Sequence, residues 1–274
     1  MLAPLVHCFS FAELSTDLTT DEENRIYGGS NADMAKNLYV ASLHDNGTDS
    51  QPFCGGTLIA PEFILTAGHC LEARMYDVYA SLGSKYSMGG GSRKSEMTRV
   101  VRAFRHPSYD LSEGTITRDV ALLKLETRST IKPAILADAD GSDDKPGRMA
   151  TVLGWGLINN ETFSDILQAV DVEVITNAKC VELGLANITS IDESVICAGI
   201  EKGKDACGGD SGGPLLVNGV LVGVVSSGSG TCGTTPGTYA RVSYVMDFIN
   251  DVLAGKSIGD ISELLTAGYS RLEQ

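Results

Sequence analysis

From position 39 onward the chain alternates short apolar runs with clusters of Gly, Asp, Asn and Pro. The runs cover residues 39–43, 57–65, 78–82, 100–104 and 120–125, then 149–153, 169–175, 215–217, 220–225 and 238–242. Short runs bounded by turn residues predict an all-β sandwich or barrel. One stretch breaks the pattern. Val242, Val245, Met246, Ile249 and Leu253 recur at helical spacing, which predicts a closing helix over 242–253. Past it, in residues 254–274, Ile258, Ile261, Leu265 and Leu272 leave two readings open: a second amphipathic helix or a loosely docked tail.

The start of the chain differs from this body. Residues 1–12 are apolar and end in Ser10-Phe11-Ala12, a small-x-small pattern. They read either as a short secretory signal without a basic leading segment or as a misplaced start. Residues 13–25 are polar and end Asp21-Glu22-Glu23-Asn24-Arg25, with no core-forming pattern. Then comes Ile26-Tyr27-Gly28-Gly29.

Composition narrows the function classes. Hydrophobic residues make up 43% of 274, enough to build a core, and the net charge is −14 without a basic stripe. Nucleic-acid binding therefore has little support. No run approaches the ~18 apolar residues of a membrane helix. Seven cysteines occur, at 8, 54, 70, 180, 197, 207 and 232, and no pair has the C-x-x-C spacing of a zinc site. No metal or cofactor is expected. Asn46-Gly47-Thr48, Asn160-Glu161-Thr162 and Asn187-Ile188-Thr189 are glycosylation sequons.

The chemistry concentrates in Asp205-Ala206-Cys207-Gly208-Gly209-Asp210-Ser211-Gly212-Gly213-Pro214. A serine among glycines can sit in a tight turn, close to a substrate. Its hydroxyl is a weak nucleophile and needs a base, which in turn needs an orienting group. Of four histidines, His69 in Ala67-Gly68-His69-Cys70 follows a strand-like run. Asp119 in Arg118-Asp119-Val120-Ala121-Leu122-Leu123 precedes another.

These three motifs, in the order His, Asp, Ser, resemble the trypsin/chymotrypsin family of serine proteases over residues 26–253. The resemblance implies two six-stranded antiparallel β-barrels with a C-terminal helix and the active site between them. It implies that His69, Asp119 and Ser211 are catalytic and that the N–H groups of Gly209 and Ser211 form an oxyanion hole. Asp205 would be the floor of a pocket for Arg or Lys, with Ala206 beside it, Gly228 and Gly237 as open walls, and Ser226 and Gly228 bonding the substrate backbone. Arg25 and Ile26 resemble the activation site, where cleavage frees an ammonium for Asp210. The implied disulfides are Cys54–Cys70, Cys180–Cys197 and Cys207–Cys232. They point to secretion, and cleavage after Ala12 would remove the leftover Cys8.

Three positions depart from the family pattern. Ser227 stands where an aromatic wall is usual, Gly208 where a polar side chain is common, and Ser84 where calcium-binding members carry Glu. The expected molecule is a monomeric secreted trypsin-like endopeptidase, made as a zymogen. It would have residues 1–12 as signal, 13–25 as propeptide, 26–253 as protease domain and 254–274 as extension. Its partners would be peptides or proteins with Arg or Lys at P1, an activating protease and protein inhibitors, with no nucleic acid or membrane. The alternative is a protease-fold protein that inhibits or sequesters another secreted enzyme.

Overall fold

A computed structural model describes residues 28–110, 117–159, 161–183, 191–200, 202–228 and 231–266. Arg25, Ile26, Asn160 and Asn187 lie outside them, as do residues 1–12 and 13–25.

The first six long strands are β1 (Val40–His44), β2 (Pro52–Ala60), β3 (Phe63–Thr66), β4 (Tyr79–Leu82), β5 (Glu96–Arg105) and β6 (Ala121–Leu125). They close into a barrel in the order β1-β2-β3-β6-β5-β4. The next six are β7 (Met149–Gly154), β8 (Gln168–Ile175), β9 (Val195–Ala198), β10 (Pro214–Val217), β11 (Val220–Ser227) and β12 (Gly237–Arg241). They run β8-β7-β10-β11-β12-β9, and pairing of β8 with β9 closes the second ring. Every pairing within the two rings is antiparallel. Among the described residues, closure leaves no long strand edge free to pair with another chain.

Alternation explains the strands. In β8, Gln168, Val170, Val172 and Val174 are buried, while Ala169, Asp171 and Glu173 turn outward. Short pairings tie the barrels together. Ser30–Asn31 adds to β8, and Ile135–Leu136, from the segment between the barrels, runs parallel to β11. The core is continuous through both barrels, with Leu58, Ile64 and Leu122 fully buried in the first and Leu215, Leu221 and Val222 in the second.

The closing helix is split. Ser243–Val245 forms a 3₁₀ turn, and α2 (Met246–Leu253) follows, burying Phe248, Ile249 and Val252. Its Phe248 ring lies 5.1 Å from that of His106, just beyond β5, so the helix leans on the first barrel. A shorter helix, α1 (Asn177–Glu182), is capped by the Thr176 side chain and carries Cys180.

The tail corrects the helical reading. Residues 255–266 form an extended strap with one 3₁₀ turn, Ser262–Leu264. The strap ends in β13 (Leu265–Thr266), parallel to Met75–Tyr76. Glycine is the reason. Gly255 and Gly259 have φ of +89° and +65°, which stops a helix, and a Cβ on Gly259 would lie 1.9 Å from the Arg105 carbonyl oxygen. Ile261 and Ser262 then bond Ala103 of β5, and Arg102 holds Asp260 at 2.5 Å. Among the described residues no helix is long and apolar enough to cross a membrane.

Candidate active site

His69 sits on a 3₁₀ turn, Gly68–Leu71, that leaves β3. Asp119 sits just ahead of β6, which pairs with β3. Adjacent strands therefore deliver both residues to one end of the first barrel. Gly68 permits the approach, since a Cβ there would stand 3.1 Å from Asp119 Oδ1. The carboxylate meets His69 twice. The ring Nδ1 lies 2.7 Å from Oδ2, and the backbone N–H donates to Oδ1 at 2.8 Å. Arg118, with φ of +51°, turns the chain into this position, and its N–H donates to Ser194 Oγ.

Burial pushes the His69 pKa down, but the hydrogen bond and charge of Asp119, with Glu72 behind, outweigh it. The net shift is upward.

The second barrel supplies the serine. Ser211 precedes β10, and its carbonyl accepts the Gly55 N–H at 2.7 Å. Gly212 is pressed on the first barrel, where a Cβ would meet Thr66 Oγ1 at 2.3 Å and Ala67 N at 3.2 Å, two residues ahead of His69. Ser211 thus stands at the seam, against the part of the first barrel that leads into the His69 turn. Gly209 has φ of +94°, a conformation other residues rarely adopt, and a Cβ would lie 2.8 Å from the Phe163 ring.

Two further acids lie behind the serine. Asp205 is 2% exposed, and its Oδ2 accepts the Gly233 N–H at 3.0 Å. Burial pushes its pKa up to about 6. Gly237 stands against it, where a Cβ would be 3.1 Å from Asp205 Oδ1, and among the described residues nothing lies within 4 Å of a Cβ on Gly228. The structure thus brings Gly237 and Asp205 together. Asp210 is 1% exposed and accepts N–H bonds from Gly156 at 2.8 Å and Cys207 at 2.9 Å. Burial pushes its pKa up to about 7, with the charge of Asp205 adding to it.

Sequence reasoning missed several participants. Ser226 was read as a backbone contact for substrate, yet its hydroxyl also donates to Asp119 Oδ2 at 2.5 Å. Gly156 was not singled out, although a Cβ there would fall 2.5 Å from the Asp210 carboxyl carbon. Buried Tyr239 lies beside Gly237 near Asp205, and nothing local marks it.

The three disulfides pair as the resemblance implied: Cys54–Cys70, Cys180–Cys197 and Cys207–Cys232. Ligand atoms of Cys54, His69 and Cys70 lie within 4.8 Å of one another, but both sulfurs are spent in the disulfide, so they do not make a metal site. Ser84 Oγ lies 2.7 Å from Ser81 Oγ and 2.6 Å from Ser95 Oγ.

The family model described as Trypsin matches residues 26–249. The chain belongs to the trypsin family. Anionic trypsin of Canis lupus familiaris is 31% identical, over 92% of this chain and 98% of that protein. Trypsin 5G1 of Aedes aegypti is 36% identical, over 83% and 85%. Glucanase inhibitor protein 3 of Phytophthora infestans is 35% identical, over 90% of this chain and 96% of its own length. Among solved structures, neuropsin, a serine protease expressed in the limbic system of mouse brain, superimposes with a TM-score of 0.72. It covers 82% of this chain and 99% of its own at 28% identity.

Proposed function

We propose that this trypsin-family chain is a secreted serine endopeptidase that cleaves after Arg or Lys. The observation that carries this reading is the His69–Asp119 pair at the seam beside Ser211, with buried Asp205 behind. His69 Nε2 takes the Ser211 proton as Oγ attacks the scissile carbonyl, then returns it to the leaving amine. Asp119 keeps the Nδ1–H tautomer and offsets the imidazolium charge. The N–H groups of Gly209 and Ser211 receive the oxyanion, each worth about 3–4 kcal/mol in such sites. Asp205 pairs with the P1 cation, which Arg meets with two parallel bonds. Cleavage after Arg25 gives Ile26 an ammonium that docks on Asp210 and orders the loop carrying Gly209. Three disulfides suit an oxidising compartment.

A second reading has a specific observation behind it: relatives of comparable identity and coverage are named glucanase inhibitor proteins. In that reading the cleft surface binds a secreted enzyme without turnover. The decisive experiment labels the protein, after cleavage at Arg25, with a fluorophosphonate and measures kcat/KM on matched Arg and Phe peptides. The hydrolase reading predicts labelling at Ser211, with Asp205→Ser lowering the Arg/Phe ratio roughly 30-fold to several thousand-fold. No labelling and no turnover would favour the inhibitor reading.

A further inference from the structure

The loop between β4 and β5 has no part in the chemistry above. It contains Gly89-Gly90-Gly91-Ser92-Arg93-Lys94-Ser95. The three glycines have φ of +94°, +84° and +77°, a turn that other residues rarely adopt. From 88 to 95 no residue is buried. Hydroxyls hold the two limbs of the loop together. The Gly90 N–H is shared between Ser84 Oγ at 3.2 Å and Ser95 Oγ at 3.0 Å, and the Gly90 carbonyl accepts the Lys85 N–H at 2.8 Å. The first limb then meets the second barrel. The Lys85 carbonyl accepts Trp155 Nε1–H at 3.1 Å and the Leu167 N–H at 2.9 Å, and the Ser87 N–H donates to the Asp165 carbonyl at 3.0 Å. Trp155 precedes Gly156, whose N–H holds Asp210. A chain of bonds thus runs from the loop to the acid beside Ser211.

On the second limb, Arg93 is exposed, and among the described residues it makes neither a hydrogen bond nor an ion pair. Exposed loop tips of this kind are where proteases cut. The next bond is better shielded, because the Lys94 carbonyl oxygen lies where a Cβ on Gly83 would come within 2.6 Å of it. Few other basic residues are as open. Lys132 and Lys145 are each followed by proline, which has no N–H and a fixed φ. Arg128, Lys179 and Lys256 pair with acids. Arg148 is pinned through its N–H and its carbonyl. Arg74 is exposed, but only residues 72–74 lie between buried Leu71 and buried Met75, too short a span to enter a cleft.

We propose that this chain carries a self-cleavage site at the Arg93–Lys94 bond, through which one molecule cuts another and loosens its cleft. The proposal rests on the hydrolase reading above, with Arg93 as the residue that pairs with Asp205. Ser211 Oγ bonds to the Arg93 carbonyl carbon, the C–N bond breaks, and Lys94 leaves as an amine with the proton from His69. Water then releases the Arg93 carboxylate and restores Ser211, so nothing but water is consumed. The loop is tied to its own barrel at Ser84 and Ser95, so the cut passes between molecules. Once the bond is broken, the limb bearing Gly90 parts from Ser95, and Lys85 slackens its hold on Trp155 and Leu167. Activity is thereby lowered where the enzyme accumulates.

The test mixes full-length Ser211→Ala protein, which cannot cut itself, with a trace of parent protein cleaved after Arg25. None of the three disulfides crosses position 93, so a denaturing gel without reductant separates the two pieces, and mass spectrometry assigns their ends. The first cut within residues 28–266 should fall after Arg93, at a rate proportional to the concentration of each protein. Trp155 is the chain's only tryptophan, and its emission should move to longer wavelength as the cut proceeds. In parent protein incubated alone, kcat/KM on an Arg amide should fall about threefold to tenfold as the bond is lost, the effect of one or two missing hydrogen bonds. Arg93→Gln, which removes no bond, should begin at the parental kcat/KM and keep it over the same interval. A first cut elsewhere in residues 28–266 overturns the proposal, as does equal loss of activity in Arg93→Gln. An intact Arg93–Lys94 bond in protein that hydrolyses the Arg amide overturns the proposal alone. No hydrolysis of the amide overturns the hydrolase reading, and the self-cleavage site falls with it.

Discussion

The two barrels bring their acids to the cleft in opposite conditions. Asp119, on the first barrel, is matched: ring, backbone and hydroxyl donors from His69 and Ser226 all reach it within 2.8 Å. Asp205 and Asp210, on the second, are met by backbone N–H groups, and burial holds their pKa values near 6 and 7. The first barrel has finished its electrostatics within the fold. The second keeps two costly carboxylates, and such a cost is recovered when a cation arrives. On the proposed reading one cation is the substrate's P1 side chain and the other is the chain's own ammonium. The difference separates residues that perform chemistry from residues that respond to a partner.

The largest expected effect breaks the matched side. Asp119→Asn keeps the shape but lets the side-chain amide face Nδ1, which favours the wrong His69 tautomer. In the cleaved protein kcat should fall about 10⁴-fold, the size typical of such triads, with the melting temperature little changed. Activity within tenfold of the parent would remove Asp119 from the triad.

The next effect sharpens the unmatched side. In uncleaved protein the folded pKa of Asp210 is raised, so the folded state holds that proton more tightly than the unfolded chain does. Its stability contribution is full below pH ~4 and is lost as pH rises through about 7. Asp210→Asn should therefore raise stability at pH 8 by a few kcal/mol and flatten the slope between pH 4 and 7. Cleavage after Arg25 should flatten it too, by supplying a cation. Denaturant titrations of the three proteins across that range check this. Parallel pH profiles for parent and variant would show that Asp210 is not the strained group.

What was legible followed from distance along the chain. Ser211, His69 and Asp119 each sit in a short local context of glycines or strand residues, so they could be singled out as candidates before any fold was known. The alternating runs gave the strands for the same reason. Ser226 escaped because its partner Asp119 is 107 positions away. Gly156 and Tyr239 escaped because only the folded chain sets them against Asp210 and Asp205. The tail stayed open between a helix and a loose end for a different cause. Ile258, Ile261 and Leu265 have helical spacing, but Gly255 and Gly259 lie among them, and β5 offers partners that a local pattern cannot reveal.

The smallest expected effect tests that strap, which lies outside the comparison of acids. Gly259→Ala drives a Cβ into the Arg105 carbonyl. The strap should lift, costing about 1–3 kcal/mol and lowering the melting temperature by a few degrees. Catalysis should stay within twofold, since Gly259 lies apart from the cleft residues. An unchanged melting temperature would mean that the strap adds nothing to stability.

The strap also sets an order of events in the cell. Polypeptide leaves the ribosome from its first residue onward, at about 5–20 residues per second. The first barrel emerges early, yet the bonds to Ala103 and Arg105 wait for residues 259–262, which follow both barrels in the chain. The first barrel is therefore finished only by a segment made after the second. A nascent chain stalled after α2 would carry both barrels and all six paired cysteines, but would leave the outer side of β5 without its cover.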